Sequence, residues 1–359
     1  MLTISFGLHG RDPSPGVQSF LAFWVFQLLC LCFLYGGTAF ALSLKLIASR
    51  DHIEGSLAGS RQIYADAAKI YLATSQGTLF VLARDRSRNF PLLETINPNK
   101  QGLGSIAGDE EHIYMTSGIG ELLVYQKGET LKLTHAVKIN THQIGSVVSV
   151  EDSLYVSKGS GSVAVGKRYI YFSMLNEQDA VLEVSKSELK VMRVFAHTFD
   201  GPITVVFDKQ TGRHVGTIPN PPDLYGRVGG VHLYVDDKFL IQTIGGCCGS
   251  GIFIYDAETL KSERTIPKHT YTTVVRRGHL LIAGSEWGHV VIFDLDDEQT
   301  AIMAIAPLRV WTDHKGLEDI EIRCLWIDGH DELIFAGSSW GNDHSRGPLL
   351  PSFFVLELS

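Results

Sequence analysis

The chain has 359 residues, of which 45% are hydrophobic and 36 are glycine, and its formal net charge is -8. This acidic balance, with no run of Lys or Arg, argues against a nucleic-acid partner, because binding to a phosphate backbone needs clustered basic side chains. The hydrophobic content is enough for a large core, and the glycines fit many tight turns rather than disorder.

An uncharged apolar segment lies near the start of the chain, from Ser19 to Ala41. It ends in Ala39-Phe40-Ala41, the small-x-small pattern that signal peptidase accepts. We predict that residues 1–41 are a signal peptide cleaved after Ala41. The alternatives are an uncleaved membrane anchor, with a tether through residues 19–41, and a cytosolic protein with a mis-assigned start. The first predicts a secreted or periplasmic protein, and the second a membrane-anchored one facing outside the cytoplasm.

A unit of about forty residues built only from strands recurs after residue 42, and this period is typical of propeller blades. Four complete four-stranded repeats are predicted at 61–98, 104–140, 229–267 and 272–311. Because repeats add around one axis rather than starting a new core, we predict a single β-propeller domain over residues 42–359.

The stretch from Ser146 to Pro219 can be divided in two ways. Eight consecutive strands would supply two blades, the first ending near Met174 and the second beginning near Val181. Alternatively, Val148–Gly161 joins onto Gly201–Pro219 as one blade with an inserted hairpin pair. We prefer the first division, so the predicted fold is all-β with seven four-stranded blades, and six blades are the alternative.

The last repeat is one strand short. Its predicted strands are 320–327, 332–336 and 353–358, after which the chain ends. The segment Leu42–Leu46 alternates apolar and polar residues as a half-buried strand does. We therefore predict that this N-terminal strand completes the last blade and closes the ring, which removes an exposed edge.

Three strand-Asp-x-x-Thr-Gly hairpins, Phe207–Gly212, Tyr255–Thr259 and Phe293–Asp297, carry a resemblance to known families. The chain after residue 42 resembles the WD40 and YVTN type of β-propeller, with some likeness to quinoprotein-like repeats. In the propellers that it resembles, the turns between second and third strands and the connections between blades emerge on the same face. The resemblance implies that ligands bind on that face.

The turns between the second and third strands of the last three blades carry the candidate ligand-binding residues, namely Cys247, Cys248, Trp287, His289, Trp340, Asp343, His344 and Arg346. Trp287 and Trp340 each precede a glycine at matching places in neighbouring blades. Their flat faces suit stacking on a sugar, a quinone or a cation, although a tryptophan can equally fill the gap between blades. The loop around Trp340 is much longer than its counterparts, which is typical of functional loops.

The two adjacent cysteines allow three interpretations. They could form a strained ring against a quinone, bind a soft metal, or simply let a glycine-rich loop fold tightly, with one of them bridged to Cys324. We prefer the third. Three histidines in the turns that lead into a new blade, His142, His269 and His314, could form a metal site, but we expect them to brace the blades.

The sequence contains no Gly-x-Ser-x-Gly elbow and no His-Glu-x-x-His motif. We therefore predict an exported binding or scaffold protein, without a metal or cofactor, that recognises a protein, peptide or saccharide on the loop face. The alternative is a lactonase-like or quinoprotein-like enzyme with a metal or cofactor at the channel mouth, for which Glu286, Asp319, Asn342 and Asp343 could supply ligands. A structural protein of an envelope assembly is a third possibility, and it predicts that exposed apolar residues lie on the blade sides.

Overall fold

The computed structural model of the protein describes residues 42–50, 60–74, 77–98, 102–139, 144–159, 161–198, 201, 203–219, 231–244, 251–267, 271–297, 302–312, 316–327, 333–340 and 352–359. Residues 43–359 form one compact unit. Its described secondary structure is strand, apart from one 3-10 turn at Arg86–Arg88. In this part of the chain no helix has the length and apolar character needed to cross a membrane.

The strands form seven antiparallel sheets. The first strand is β1 (Leu44–Arg50). Blade 1 contains β2 (Ser60–Ala65), β3 (Lys69–Thr74), β4 (Leu79–Ala83) and β5 (Leu92–Ile96). Blade 2 contains β6 (Leu103–Gly108), β7 (His112–Ser117), β8 (Glu121–Gln126) and β9 (Lys132–Lys138).

Eight strands then build blades 3 and 4: β10 (Ile144–Val150), β11 (Ser153–Lys158), β12 (Val163–Val165), β13 (Tyr169–Met174), β14 (Ala180–Ser185), β15 (Val191–Phe195), β16 (Ile203–Asp208) and β17 (His214–Pro219). Blade 5 contains β18 (Val231–Val235), β19 (Phe239–Ile244), β20 (Gly251–Asp256) and β21 (Ser262–Pro267). Blade 6 contains β22 (Tyr271–Arg277), β23 (Leu280–Ser285), β24 (His289–Asp294) and β25 (Ile302–Pro307). The last strands are β26 (Arg309–Thr312), β27 (Gly316–Ile327), β28 (Leu333–Trp340) and β29 (Ser352–Leu358).

The innermost strands of the seven sheets contact one another in a closed cycle, β2, β6, β10, β12, β18, β22, β27 and back to β2. Seven four-stranded sheets around one axis are a seven-bladed β-propeller. The predicted fold class and the preferred blade count are therefore confirmed, and the six-blade alternative is wrong. We call the face that carries the turns between second and third strands, and the connections between blades, the upper face. The opposite face is the lower face.

Blades 3 and 4 differ from the prediction, because their strands are interleaved rather than consecutive. Blade 3 has the order β10-β11-β14-β15, and blade 4 has the order β12-β13-β16-β17. After β11 the chain crosses to blade 4, forms its two inner strands, returns to finish blade 3 and crosses again to finish blade 4. All eight predicted strands exist, but both proposed divisions of this stretch, two consecutive blades or one interrupted blade, pair them wrongly.

The N-terminal strand closes the ring, as predicted. In blade 7, the strands β27, β28 and β29 follow one another from the inside outward, and β1 pairs with β29 as the outermost strand. Ser43 and Ser359 exchange both backbone hydrogen bonds, at 2.7 and 3.0 Å.

One feature was not predicted: β27 extends beyond the blade, and its first residues pair with β26 as a hairpin. This hairpin lies in the connection from blade 6 to blade 7, on the upper face.

The hydrophobic core lies between the blades rather than inside any one of them. Between blades 7 and 1, for example, Phe80 and Phe90 of blade 1 pack in one cluster with Phe335 and Phe353 of blade 7. Similar apolar clusters join blades 1 to 2, 2 to 3, 3 to 4, 4 to 5 and 5 to 6. The sheets of blades 1 to 5 are thus covered on both faces, which explains why their middle strands are continuous apolar runs.

Near the upper face the inner strands carry a repeated Gly-Ser pair, at Gly104-Ser105, Gly145-Ser146 and Gly161-Ser162. A Cβ on the first of these glycines would lie 2.7 Å from the carbonyl oxygen of Gly145 in the next blade, so only glycine allows this approach. Hydroxyl groups then link the blades. Ser146 Oγ accepts the N–H of Val163 at 2.8 Å, and Ser162 Oγ accepts the N–H of Leu233 at 3.2 Å.

On the lower face, lysines connect the first three blades. Lys127 of blade 2 binds Asp66 of blade 1 at 2.8 Å, and Lys186 of blade 3 binds Asp109 of blade 2 at 3.0 Å. Partial burial alone would raise the pKa of both aspartates, but the lysines and neighbouring hydrogen-bond donors outweigh it and lower the pKa. These pairs therefore stabilise the ring at neutral pH.

Candidate functional site

The upper turn of blade 6 holds Trp287. Its geometry is repeated along the chain: a hydroxyl of Thr74, Ser117 or Ser285 accepts the N–H of the residue four positions later. The fourth residue of each turn is a glycine with a positive φ, 73° at Gly288 in blade 6. Only glycine adopts this conformation without strain. The turn is therefore fixed by its own sequence, and the residue before the glycine is set at its tip.

Trp287 occupies this tip and is 63% exposed. It lies on the surface and does not fill a gap between blades. The corresponding residues in the turns of blades 1 and 2 are Gln76 and Ile119, so among these three turns the tryptophan is particular to blade 6. An exposed indole on a rigid turn offers a large flat surface at little entropic cost. This position suits contact with a ligand.

Charged groups lie near the turn that holds Trp287. Arg323, on the inner strand β27 of blade 7, forms an ion pair with Glu321 at 2.6 Å between Nη2 and Oε2. Glu321 is buried, whereas the side chain of Arg323 is 42% exposed. Partial burial raises the pKa of Glu286, the neighbour of Trp287, and the nearby Arg323 opposes that rise. The exposed indole, the partly exposed guanidinium of Arg323 and the carboxyl group of Glu286 thus lie at the upper ends of blades 6 and 7, and the buried carboxylate of Glu321 holds the guanidinium. We call these four residues, Glu286, Trp287, Glu321 and Arg323, the rim site.

The remaining predicted site residues are placed as follows. His289 begins β24, and its N–H is bound by Ser285 Oγ at 3.1 Å. Trp340 is the last residue of β28, where its backbone pairs with Ile320. Asp319 lies in the hairpin, paired with Arg309. The other predicted residues lie outside the described part of the chain, namely Cys247, Cys248, Asn342, Asp343, His344, Arg346 and the three histidines His142, His269 and His314.

Two further points concern metals and thiols. Among the described residues, no group of three His, Cys, Asp or Glu side chains is placed to hold a metal ion. Cys324 is a free and fully buried thiol, and burial raises its pKa. A thiol in this environment is unreactive and acts as a small apolar core residue.

Sequence reasoning missed the pair of Glu321 and Arg323. In the sequence they are two charged residues in an otherwise apolar strand, Ile320–Ile327. Charged residues inside an inner strand are a recognisable signal, because such a strand is otherwise covered by its neighbours. A register shift between Ile322 and Cys324 accompanies this pair. Bulges of this kind often redirect a side chain near a functional site.

His232 on β18 is a second group that sequence reasoning missed. Its Nδ1 is shielded from solvent and has no hydrogen-bond partner among the described residues. The same holds for Oγ1 of Thr243, its cross-strand neighbour in β19. Burial lowers the pKa of His232 to about 4. The folded protein therefore holds this imidazole neutral at pH values where the unfolded chain protonates it.

We expect the protein to lose stability as the pH falls from 6.5 toward 4, because only the unfolded chain readily binds this proton. A shift of this size corresponds to roughly 3 kcal/mol. Urea unfolding of the wild type and of His232→Leu at several pH values measures the effect. The variant should lose this pH-dependent part, whereas His135→Leu, at an exposed position on β9, should keep it. An unchanged pH slope in His232→Leu would contradict the assignment.

No family model matches the chain, and no curated protein matches it. The WD40 or YVTN resemblance thus has no support from a family match, and what stands is the seven-bladed β-propeller itself.

Proposed function

We propose that the protein is an exported, non-enzymatic binding or scaffold protein that recognises a protein, peptide or saccharide on the upper face of its propeller, at the rim site. The observation that carries the proposal is the 63% exposure of Trp287 on a turn held by its own hydrogen bonds. The other large exposed hydrophobic side chains among the described residues lie on the outermost strands of blades and not on turns.

The charges of the rim site support recognition of an uncharged or basic ligand. Arg323 is neutralised by the buried Glu321, and Glu286 adds a further carboxyl group. Tryptophan and arginine are also the residue types most enriched where binding energy is concentrated in protein interfaces. The proposed export, and with it a location outside the cytoplasm, rests only on the apolar segment Ser19–Ala41.

The experiment compares the wild type with Trp287→Ala on arrays of oligosaccharides and of synthetic peptides. Any ligand of the rim site should lose about 30-fold in affinity in the variant, the effect of one strong interface residue. Met192→Ala, another exposed position but on the side of blade 3, is the matched control and should bind normally. Equal binding by Trp287→Ala would contradict the proposal, as would a stoichiometric metal ion bound at catalytic residues of the upper face.

A further inference from the structure

The exposed large hydrophobic side chains of the described residues follow a pattern. Apart from Trp287, they all lie on the outermost strands of blades, at Leu46, Leu93, Leu133, Met192, Val194, Val215, Ile302 and Ile305. These strands form the circumference of the propeller. Each one has hydrogen bonds to a neighbour on one side only, so its other edge is open for pairing. The circumference therefore offers open strand edges with which a further strand can pair.

The outermost strand of blade 6, β25, differs from the other outermost strands. Its sequence is Ile-Met-Ala-Ile-Ala-Pro, from Ile302 to Pro307, and it is the one among the seven described outer strands with only apolar residues. Ile302 is 51% exposed and Ile305 is 53% exposed. An exposed edge strand without charges is normally avoided, because it pairs readily with other strands.

The edge of β15 shows how this protein protects a comparable strand. Met192 and Val194 are exposed there, but Arg193 between them turns inward, binding Glu183 at 2.7 Å and the carbonyl oxygen of Gln210 at 2.9 Å. An inward-pointing charge of this kind discourages edge pairing. β25 has no such residue. Pro307 blocks the ladder at the end of the strand, because proline lacks an N–H. A register shift between Ile302 and Ala304 also bends the start of β25, as shifts do in the outer strands of blades 1 to 5, so its regular edge is Ala304–Ala306.

Charged residues border β25 on both sides. Glu263 and Arg264 lie on β21 of blade 5, and Lys45 lies on β1 of blade 7, which packs beside β25 without joining its sheet. An apolar centre with a charged rim is the usual composition of a protein interface. A strand without charges meets no like charge when it pairs with its own copy. The side of blade 6 thus fits a second copy of this chain better than it fits a charged partner.

We propose that two copies of this protein associate through β25, with the two strands antiparallel about a two-fold axis near Ala304. The sheets of the two sixth blades then form one continuous sheet, and Ile302 and Ile305 of both copies become buried. A two-fold axis makes the same surface serve on both sides, which gives a closed dimer rather than a filament. Since each chain carries a net charge of -8, the two copies repel at long range and salt strengthens their association.

Sedimentation velocity of the full chain, at roughly 5 to 200 μM to span micromolar dissociation constants, tests the proposal. The wild type should be dimeric at the upper end, more so in added salt, and Ile302→Lys/Ile305→Lys should be monomeric. The matched control, Met192→Lys/Val194→Lys on β15, should dimerise normally. Unchanged thermal unfolding of both variants shows that folding is intact. If lysine disturbs blade 6, Ile302→Thr/Ile305→Thr takes its place.

A cross-link gives a second readout. In an antiparallel pair, residues directly opposite have Cα atoms about 4.5 or 5.5 Å apart, within the range of a disulfide. Ala304→Cys should therefore yield a covalent dimer with a mild oxidant, whereas Val194→Cys and the wild type should not. A monomeric wild type overturns the proposal, and so does a dimer that persists in Ile302→Lys/Ile305→Lys. It is also overturned if Ala304→Cys gives no more covalent dimer than Val194→Cys. None of these results depends on the rim site.

Discussion

Replacing Ser43 and Ser359 together with cysteine is expected to raise the free energy of unfolding by roughly 5 kcal/mol under oxidising conditions. The two serines exchange both backbone hydrogen bonds, and their Oγ atoms are 2.5 Å apart. Residues that pair in this way have Cα atoms about 5.5 Å apart, a distance that suits a disulfide. The bond would join the two ends of the propeller, and cross-links that close long loops remove the most entropy from the unfolded chain.

Guanidinium unfolding of the double variant, with and without a reducing agent, measures this gain. The reduced protein should return to wild-type stability, and Ser43→Cys alone should show no gain. A disulfide that forms without raising the midpoint would contradict the expected gain, because that gain acts through the unfolded chain. Failure of the disulfide to form in the folded protein would contradict the pairing of β1 with β29.

Replacing Gly161 with alanine is expected to lower the free energy of unfolding by about 4 kcal/mol or more, at the upper end of single substitutions. Gly161 lies where the chain crosses from blade 3 to blade 4. A Cβ there would be 2.0 Å from the backbone oxygen of Ser173, and the ring of Phe172 lies just beyond. Since a backbone oxygen inside a sheet cannot move away, the inner strands of blade 4 would have to separate.

Gly166→Ala is the matched control for this prediction. Gly166 lies in the same blade at a turn, and its added Cβ would meet nothing closer than 3.5 Å. We expect its stability to stay within about 0.5 kcal/mol of the wild type. Urea unfolding of the two variants in parallel gives the comparison. Similar stabilities for both would show that the crossing has room to relax.

The propeller could be predicted from the sequence because its signals are local. Short apolar strands, glycine turns and the alternation in Leu42–Leu46 each depend on neighbouring residues, and together they give seven blades and a closed ring. The assignment of the eight strands β10 to β17 to blades 3 and 4 could not be predicted in this way. Strand patterns identify which residues are buried, but strands of similar length and composition do not specify which of them pair.

The crossing did leave a signal in the sequence. Gly159 and Gly161 flank the connection from β11 to β12, and both are needed there: Gly159 has a φ of 100° with Asp179 against it, and Gly161 touches blade 4. Their spacing resembles a nucleotide-binding loop, yet strands follow rather than a helix. Two tightly constrained glycines in a short connection indicate a close approach of backbones, which a simple hairpin would not require.

Part of the proposed rim site lies at a turn that the sequence itself identifies. The tryptophan followed by glycine at Trp287 identified the upper turn of blade 6, because the repeat fixes where such turns emerge. Glu321 and Arg323 come from the inner strand of the next blade, and the effect of Arg323 on Glu286 depends on how the two blades pack against each other. Contacts between repeats are not encoded in the period of the repeat itself.

The interleaving of blades 3 and 4 also constrains how the chain matures as it leaves the ribosome. Ordinary blades can form one after another as residues emerge. Here β12 and β13, which belong to blade 4, are synthesised before blade 3 is finished. The sheet of β10 and β11 is complete only after β15 at Val191–Phe195 has been made. The nascent chain therefore holds two unfinished hairpins at once, and neither blade could be gained, lost or copied alone during evolution.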